Sequence, residues 1–75
     1  MLTQQRGYET YNENGTIELF TQSIGDAYRA GMTALSRGED SFTIGRCTHV
    51  AFINEQGEVD ETCELVAGAI LFRKQ

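Results

Sequence analysis

Three side chains in the C-terminal half have the chemistry to hold a soft metal or to act as a nucleophile and base: Cys47, His49 and Cys63. Zinc takes four ligands in a structural site and three plus water in a catalytic one, so three such residues are a bare minimum. Their spacing argues against the set. Cys47 and His49 are two residues apart and share a face if the segment is a strand. The register reasoned below turns Cys63 to the other face. The same divergence opposes a Cys47–Cys63 disulfide, because bridged Cβ atoms must approach to about 3.5–4.5 Å. A Cys47 nucleophile with His49 as its base lacks an activating helix N-terminus and a recognisable oxyanion hole. We therefore expect no catalytic residue, no bound metal, no cofactor and no enzyme activity. A one-residue bulge would reverse the facing of Cys63, so a small Cys/His metal-binding domain stays open as an alternative.

The other feature is charge. Glu55, Glu58, Asp60, Glu61 and Glu64 put five carboxylates into ten residues with no base among them, and Glu39 and Asp40 precede the strand before. From Glu39 to Glu64 the only cation besides His49 is Arg46. On a strand, Glu58, Asp60 and Glu64 fall on one face at steps of about 6.6–6.8 Å per two residues. Such a row suits a basic groove of the kind built for nucleic acid. The plainer reading is a solvated edge that resists aggregation. If the surface binds a partner, the expected contact residues are Glu55, Glu58, Asp60, Glu61, Glu64, Glu39 and Asp40.

The balance of the whole chain points the same way. A net charge of −5 repels phosphate backbones and anionic lipid, so direct nucleic-acid or membrane binding is not expected. Arg6, Arg29, Arg37 and Arg46 are scattered and build no basic patch. The glycines form no phosphate loop, and the tyrosines and phenylalanines lack the basic interleave of a base-stacking platform.

The elements that must position these residues read as ββαββ, an α+β domain with one helix on one face of an antiparallel sheet. Residues 7–21 read as a hairpin, with strands at 8–11 and 16–20 around Asn12-Glu13-Asn14-Gly15 and its Asn-Gly turn signal. Alternation places Tyr11, Ile17 and Leu19 inward and Glu18 outward, a pattern that Phe20 breaks. Residues 23–36 read as the helix, opened by the Ser23-x-x-Asp26 capping arrangement and closed by Gly38. Ile24, Ala27, Tyr28, Met32 and Leu35 form its apolar stripe. Gly25 and Gly31 weaken the helix, and close packing against a sheet is a reason to keep them. Residues 41–53 and 58–72 read as strands around the turn Asn54-Glu55-Gln56-Gly57. Pairing Ile53 with Glu58 sets Phe52 opposite Val59, Thr48 opposite Cys63 and Arg46 opposite Leu65. His49, Cys47, Glu58, Asp60, Thr62 and Glu64 then share the polar face.

Seventy-five residues fit one domain, residues 1–75, that buries only about 60% of its unfolded surface. So thin a core, with no proline to stiffen it, keeps dimerisation open. The N-terminus has no apolar run of the signal-peptide kind, and the longest apolar stretch, residues 65–72, is too short to span a bilayer. A cytoplasmic location with reduced thiols is expected.

The segment Gly45-Arg46-Cys47-Thr48-His49-Val50-Ala51-Phe52-Ile53-Asn54-Glu55-Gln56, following a helix rich in small residues, resembles the late strand of small phage-encoded anti-CRISPR proteins of the type I-F group. The helix departs from an alanine-rich pattern at Tyr28, Arg29 and Met32. The resemblance implies a stoichiometric inhibitor, phage- or mobile-element-encoded, that blocks the basic nucleic-acid channel of a host defence complex such as CRISPR–Cas. The acidic hairpin suits that role. The alternatives are a small homodimeric structural or regulatory module, joined through the apolar strand at residues 65–72, and the metal-binding domain above.

Overall fold

The computed structural model describes residues 1–75 as four antiparallel strands and one helix: β1 (Leu2–Asn12), β2 (Ile17–Thr21), α1 (Ile24–Ser36), β3 (Ser41–Ile53) and β4 (Val59–Arg73). The strands form one sheet in the order β2-β1-β3-β4. This is the expected ββαββ order, with α1 packed on the sheet. α1 carries the chain from edge strand β2 back across the sheet to β3, beside β1. No helix is long and apolar enough to cross a membrane.

Both hairpins turn by the same device. Asn12 Oδ1 accepts the N–H groups of Asn14 and Thr16, each at 3.0 Å. Asn54 Oδ1 accepts those of Gln56 and Glu58 at the same distance. Gly15 (φ +82°) and Gly57 (φ +80°) supply the left-handed residue that lets the strand resume. Asn14 keeps a negative φ. The first turn is therefore a longer loop capped by Asn12, not the two-residue Asn-Gly turn.

The helix begins as its sequence dictates. Ser23 Oγ accepts the Asp26 N–H at 3.2 Å, and Gly38 (φ +103°) closes the far end, where its N–H and that of Glu39 return to the carbonyls of Leu35 and Ala34. Its buried line keeps Ala27 and Leu35 of the expected stripe but departs from the rest. Ala27, Gly31 and Ala34 face the sheet, whereas Ile24, Tyr28 and Met32 stay 44–54% exposed. Small residues win because the helix lies so close. A Cβ on Gly31 would sit 2.1 Å from the Phe42 ring, while one on Gly25 meets nothing nearer than Ser23 Oγ at 3.7 Å. Close packing thus explains Gly31 and leaves Gly25 unexplained.

The core under α1 is Ala27, Phe42 and Ile44, flanked by Tyr8, Leu35 and Phe72. Phe42 stacks on Phe72 with ring centroids 4.9 Å apart, and Tyr28 meets both rings edge-on. Thr10 is buried beside them and donates its hydroxyl to the Ala27 carbonyl at 2.7 Å. Even-numbered residues of β1 and β3 therefore point toward α1 and odd-numbered ones away.

Three expectations are corrected. β1 starts at Leu2, because its polar first half pairs with β3 and needs no apolar alternation of its own (Leu2 opposite Phe52). In the first hairpin Tyr11 lies on the face away from α1, Ile17 and Leu19 are largely exposed, and Glu18 is half-buried. The cause is an irregularity at the Thr10/Tyr11 step that skips Glu18 and rotates the short edge strand. In the second hairpin Ile53 pairs with Val59, not Glu58, and Phe52 with Glu61. Asp60 is the extra residue of a bulge, so from there Val50 faces Cys63 and Thr48 faces Leu65.

Candidate functional site

The face of the sheet away from α1 carries the titratable residues that the fold gathers. Residues 7, 9 and 11 of β1 and 45, 47 and 49 of β3 share this face, and the ladder sets Gly7 opposite Cys47 and Glu9 opposite Gly45. Glu9 and Cys47 therefore each stand across from a glycine. The two aromatic rings nearest fold over those gaps. A Cβ on Gly7 would come within 2.9 Å of the Phe20 ring, and one on Gly45 within 3.2 Å of the Tyr11 ring. The result is burial without a helix: Glu9 and Cys47 are almost fully covered. On the other flank His49 pairs with Glu64 of β4.

Glu9, Cys47, His49 and Glu64 each bring one ligand-type atom to a common point, all within 4.8 Å of one another. His49 Nε2 and Glu9 Oε1 are hydrogen-bonded at 2.7 Å. Its ring meets Phe20 edge-on at 4.4 Å between centroids. Tyr11 donates its hydroxyl to Glu64 Oε1 at 3.4 Å. Glu9 Oε2, in a side chain only 1% exposed, has no partner. A groove of about 820 Å³, lined in part by Thr3, Gln5, His49, Thr62 and Glu64, opens onto the outer side.

The electrostatics follow from two carboxylates held together. Burial pushes the Glu9 carboxyl up, but contact with Glu64, Tyr11, His49 and Cys47 outweighs it and holds the group below the usual carboxylate range. Glu64 moves the opposite way, raised first by its contact with Glu9. Of the two, Glu64, the member nearer water, takes up a proton more readily. Burial and the same carboxylates push the Cys47 thiol up to about 11 and the Tyr11 phenol above its ordinary value. A thiol so raised is a poor nucleophile in the metal-free protein.

Cys47 and His49 lie together on one face, and Cys63 lies on the other, exposed. What the spacing argument missed were the carboxylates. Glu9 sits 38 positions before Cys47, and only the β1–β3 pairing joins them.

The acidic residues are placed differently from the expected row. The bulge at Asp60 separates Glu58 from the strand proper and sends Glu61, opposite Phe52, to the α1 side. Glu64 turns to the other face and into the cluster. Glu39 is tied to Arg37 at 2.8 Å and accepts the Glu13 N–H, so its charge is partly neutralised. Asp40 donates its N–H to Glu13. Glu55, Glu58, Asp60 and Glu61 remain exposed around the hairpin tip and make no ion pair. They form a girdle of charge, not a line.

Comparison with known proteins finds no matching family, no matching curated sequence and no matching solved structure.

Proposed function

We propose that the protein is a small acidic protein-binding inhibitor with no catalysis of its own. In this reading it is phage- or mobile-element-encoded, acts in the host-cell cytoplasm, and covers a basic nucleic-acid-handling surface of a host defence complex, CRISPR–Cas complexes among them. The observation that carries the reading is the exposed, unpaired set Glu55, Glu58, Asp60 and Glu61 at the end of a stiff ribbon. Opposite charge steers the encounter, and the neighbouring apolar side chains of β4 supply contact area. Glu64 and Glu39, already engaged within the chain, contribute less.

The test is competition. A purified type I-F effector complex is offered labelled target DNA with the wild-type protein or with E55K/E58K/D60K/E61K, at low and high salt. The reading expects inhibition by the wild type that weakens with salt, and none by the folded variant. Equal inhibition by both proteins, or none by the wild type at low salt, would discard it.

One observation favours a second reading, a homodimer through β4. Nearly all of β4 is exposed, including Leu65 at 60% and Ile70 at 65%, and α1 packs mainly on β1, β2 and β3, touching β4 at Phe72 through Tyr28. The accessible surface is 5261 Å², against about 4,600 Å² for a compact 8.4 kDa chain. The radius of gyration is 14.5 Å, where about 11 Å is usual at this length. The excess surface approaches the roughly 800 Å² that each partner buries in a standard interface. A strand edge with free backbone groups invites pairing with a second copy. Sedimentation equilibrium decides it: a monomer at high micromolar concentration removes the dimer.

A further inference from the structure

We propose that Glu9, Cys47, His49 and Glu64 form a structural zinc site that fastens edge strand β4 to the centre of the sheet. Each residue offers one ligand atom, and the four lie within 4.8 Å of one another. Tetrahedral zinc with bonds of about 2.0–2.3 Å holds its ligands about 3.3–3.8 Å apart. A closure of about an ångström, within reach of side-chain rotation at Glu64 on the exposed edge, completes the set.

The independent sign of a ligand is Glu9 Oε2. It belongs to a side chain 1% exposed that takes part in the cluster, and it has no hydrogen-bond partner. A buried carboxylate oxygen left without a donor is costly, and native structures rarely keep one without reason. No arginine or lysine is paired with Glu9 or Glu64. Apart from His49, two carboxylates beside a thiol have no cationic partner, and a divalent cation would supply that charge.

The donor types choose the metal. One sulfur, one imidazole nitrogen and two carboxylate oxygens suit zinc, whereas calcium and magnesium take oxygen alone. The surroundings resemble an outer shell: Tyr11 holds Glu64 by its hydroxyl, and Phe20 fixes the His49 ring. The groove reaches the cluster at His49 and Glu64, the two ligands nearest solvent. The benefit to the fold is specific. α1 meets β4 near its C-terminal end, where Tyr28 packs on Phe72, whereas Glu64 lies toward the other end of the strand, and a small domain with so thin a core gains from a metal staple.

The test begins with chelator-treated, metal-free protein titrated with Co²⁺ and then Zn²⁺. The proposal expects one equivalent of cobalt with tetrahedral d–d bands and a thiolate-to-cobalt charge-transfer band, displaced by one equivalent of zinc, and a zinc-dependent rise in Tm. C63S should behave as wild type. C47S should lose the charge-transfer band. E64Q, on the exposed edge where folding is not at risk, should bind zinc more than about 100-fold more weakly, beyond what loss of an outer-shell partner costs. Weak octahedral cobalt bands without charge transfer, wild-type zinc affinity in folded C47S or E64Q, or a Tm indifferent to zinc would each overturn the site.

Discussion

The tightest glycine position, Gly31 where α1 lies on β3, makes the sharpest prediction about stability. In Gly31→Ala the new methyl group starts 2.1 Å from Phe42 Cδ2, 2.2 Å from Cε2 and 2.5 Å from Cγ. Carbon atoms in contact prefer about 3.5–4.0 Å, so helix and ring must separate by more than an ångström. Phe42 has little room to give: it is 1% exposed and stacked on Phe72. Overpacking of this kind costs about 1–3 kcal/mol, and the tightness of the contact places it at the upper end. Alanine returns about 1 kcal/mol of helix propensity, leaving a net loss of about 2 kcal/mol. For a domain of this size that lowers Tm by about 8–16 °C. Gly25→Ala is the control in the same helix, because its methyl group meets only Ser23 Oγ at 3.7 Å. It should raise Tm by a few degrees. Thermal melts followed by circular dichroism read both, and Phe42→Leu in the Gly31→Ala background should recover part of the loss by vacating the ring edge. A Gly31→Ala protein as stable as wild type, or a Gly25→Ala protein equally damaged, would show that close packing of helix on sheet is not what Gly31 serves.

Thr10→Val removes the buried hydroxyl that donates to the Ala27 carbonyl at 2.7 Å; a loss of about 1 kcal/mol is expected in a urea melt. Arg37 joins β2, the end of α1 and the following loop through Glu18 and Glu39, and hydrogen bonding to it holds both carboxyls below their ordinary range. Because the folded-state values are depressed, this stabilisation is fully present above the unfolded-state value of about 4.3 and disappears as pH falls through the lowered ones. The Tm difference between wild type and Arg37→Met should therefore be present at neutral pH, shrink below about pH 4 and weaken with salt. In metal-free protein, Ellman's reagent at pH 8 should titrate Cys63 quickly and Cys47 only on unfolding, since one thiol is exposed and the other buried with its pKa near 11; two fast thiols would contradict the burial described.

The elements were legible because their signals are local. Ser23 and Gly38 bound the helix by satisfying its end groups, and the two Asn-x-x-Gly segments bend the hairpins through the side chain and φ of residues within the turn itself. Charge density near residues 55–64 was equally plain, being a property of composition. The facing of those charges was not. One inserted residue, Asp60, redirects Glu61 to one side while Glu64 goes to the other, and nothing in the local alternation announces a bulge.

The sequence by itself determined the kinds and order of the elements and the turns, since each rests on groups a few residues apart; Cys63 diverges from Cys47 and His49 only because the Asp60 bulge offsets a one-residue shift in the pairing at the turn. Only the tertiary structure decided that β1 and β3 are neighbours, that Ala27, Gly31 and Ala34 rather than the large apolar side chains face the sheet, and that Glu9 and Glu64 meet Cys47 and His49. Those outcomes depend on which strand lies beside which and how closely two surfaces can approach. Such non-local pairings are fixed by the packing of the whole chain and leave no periodic trace in any one segment.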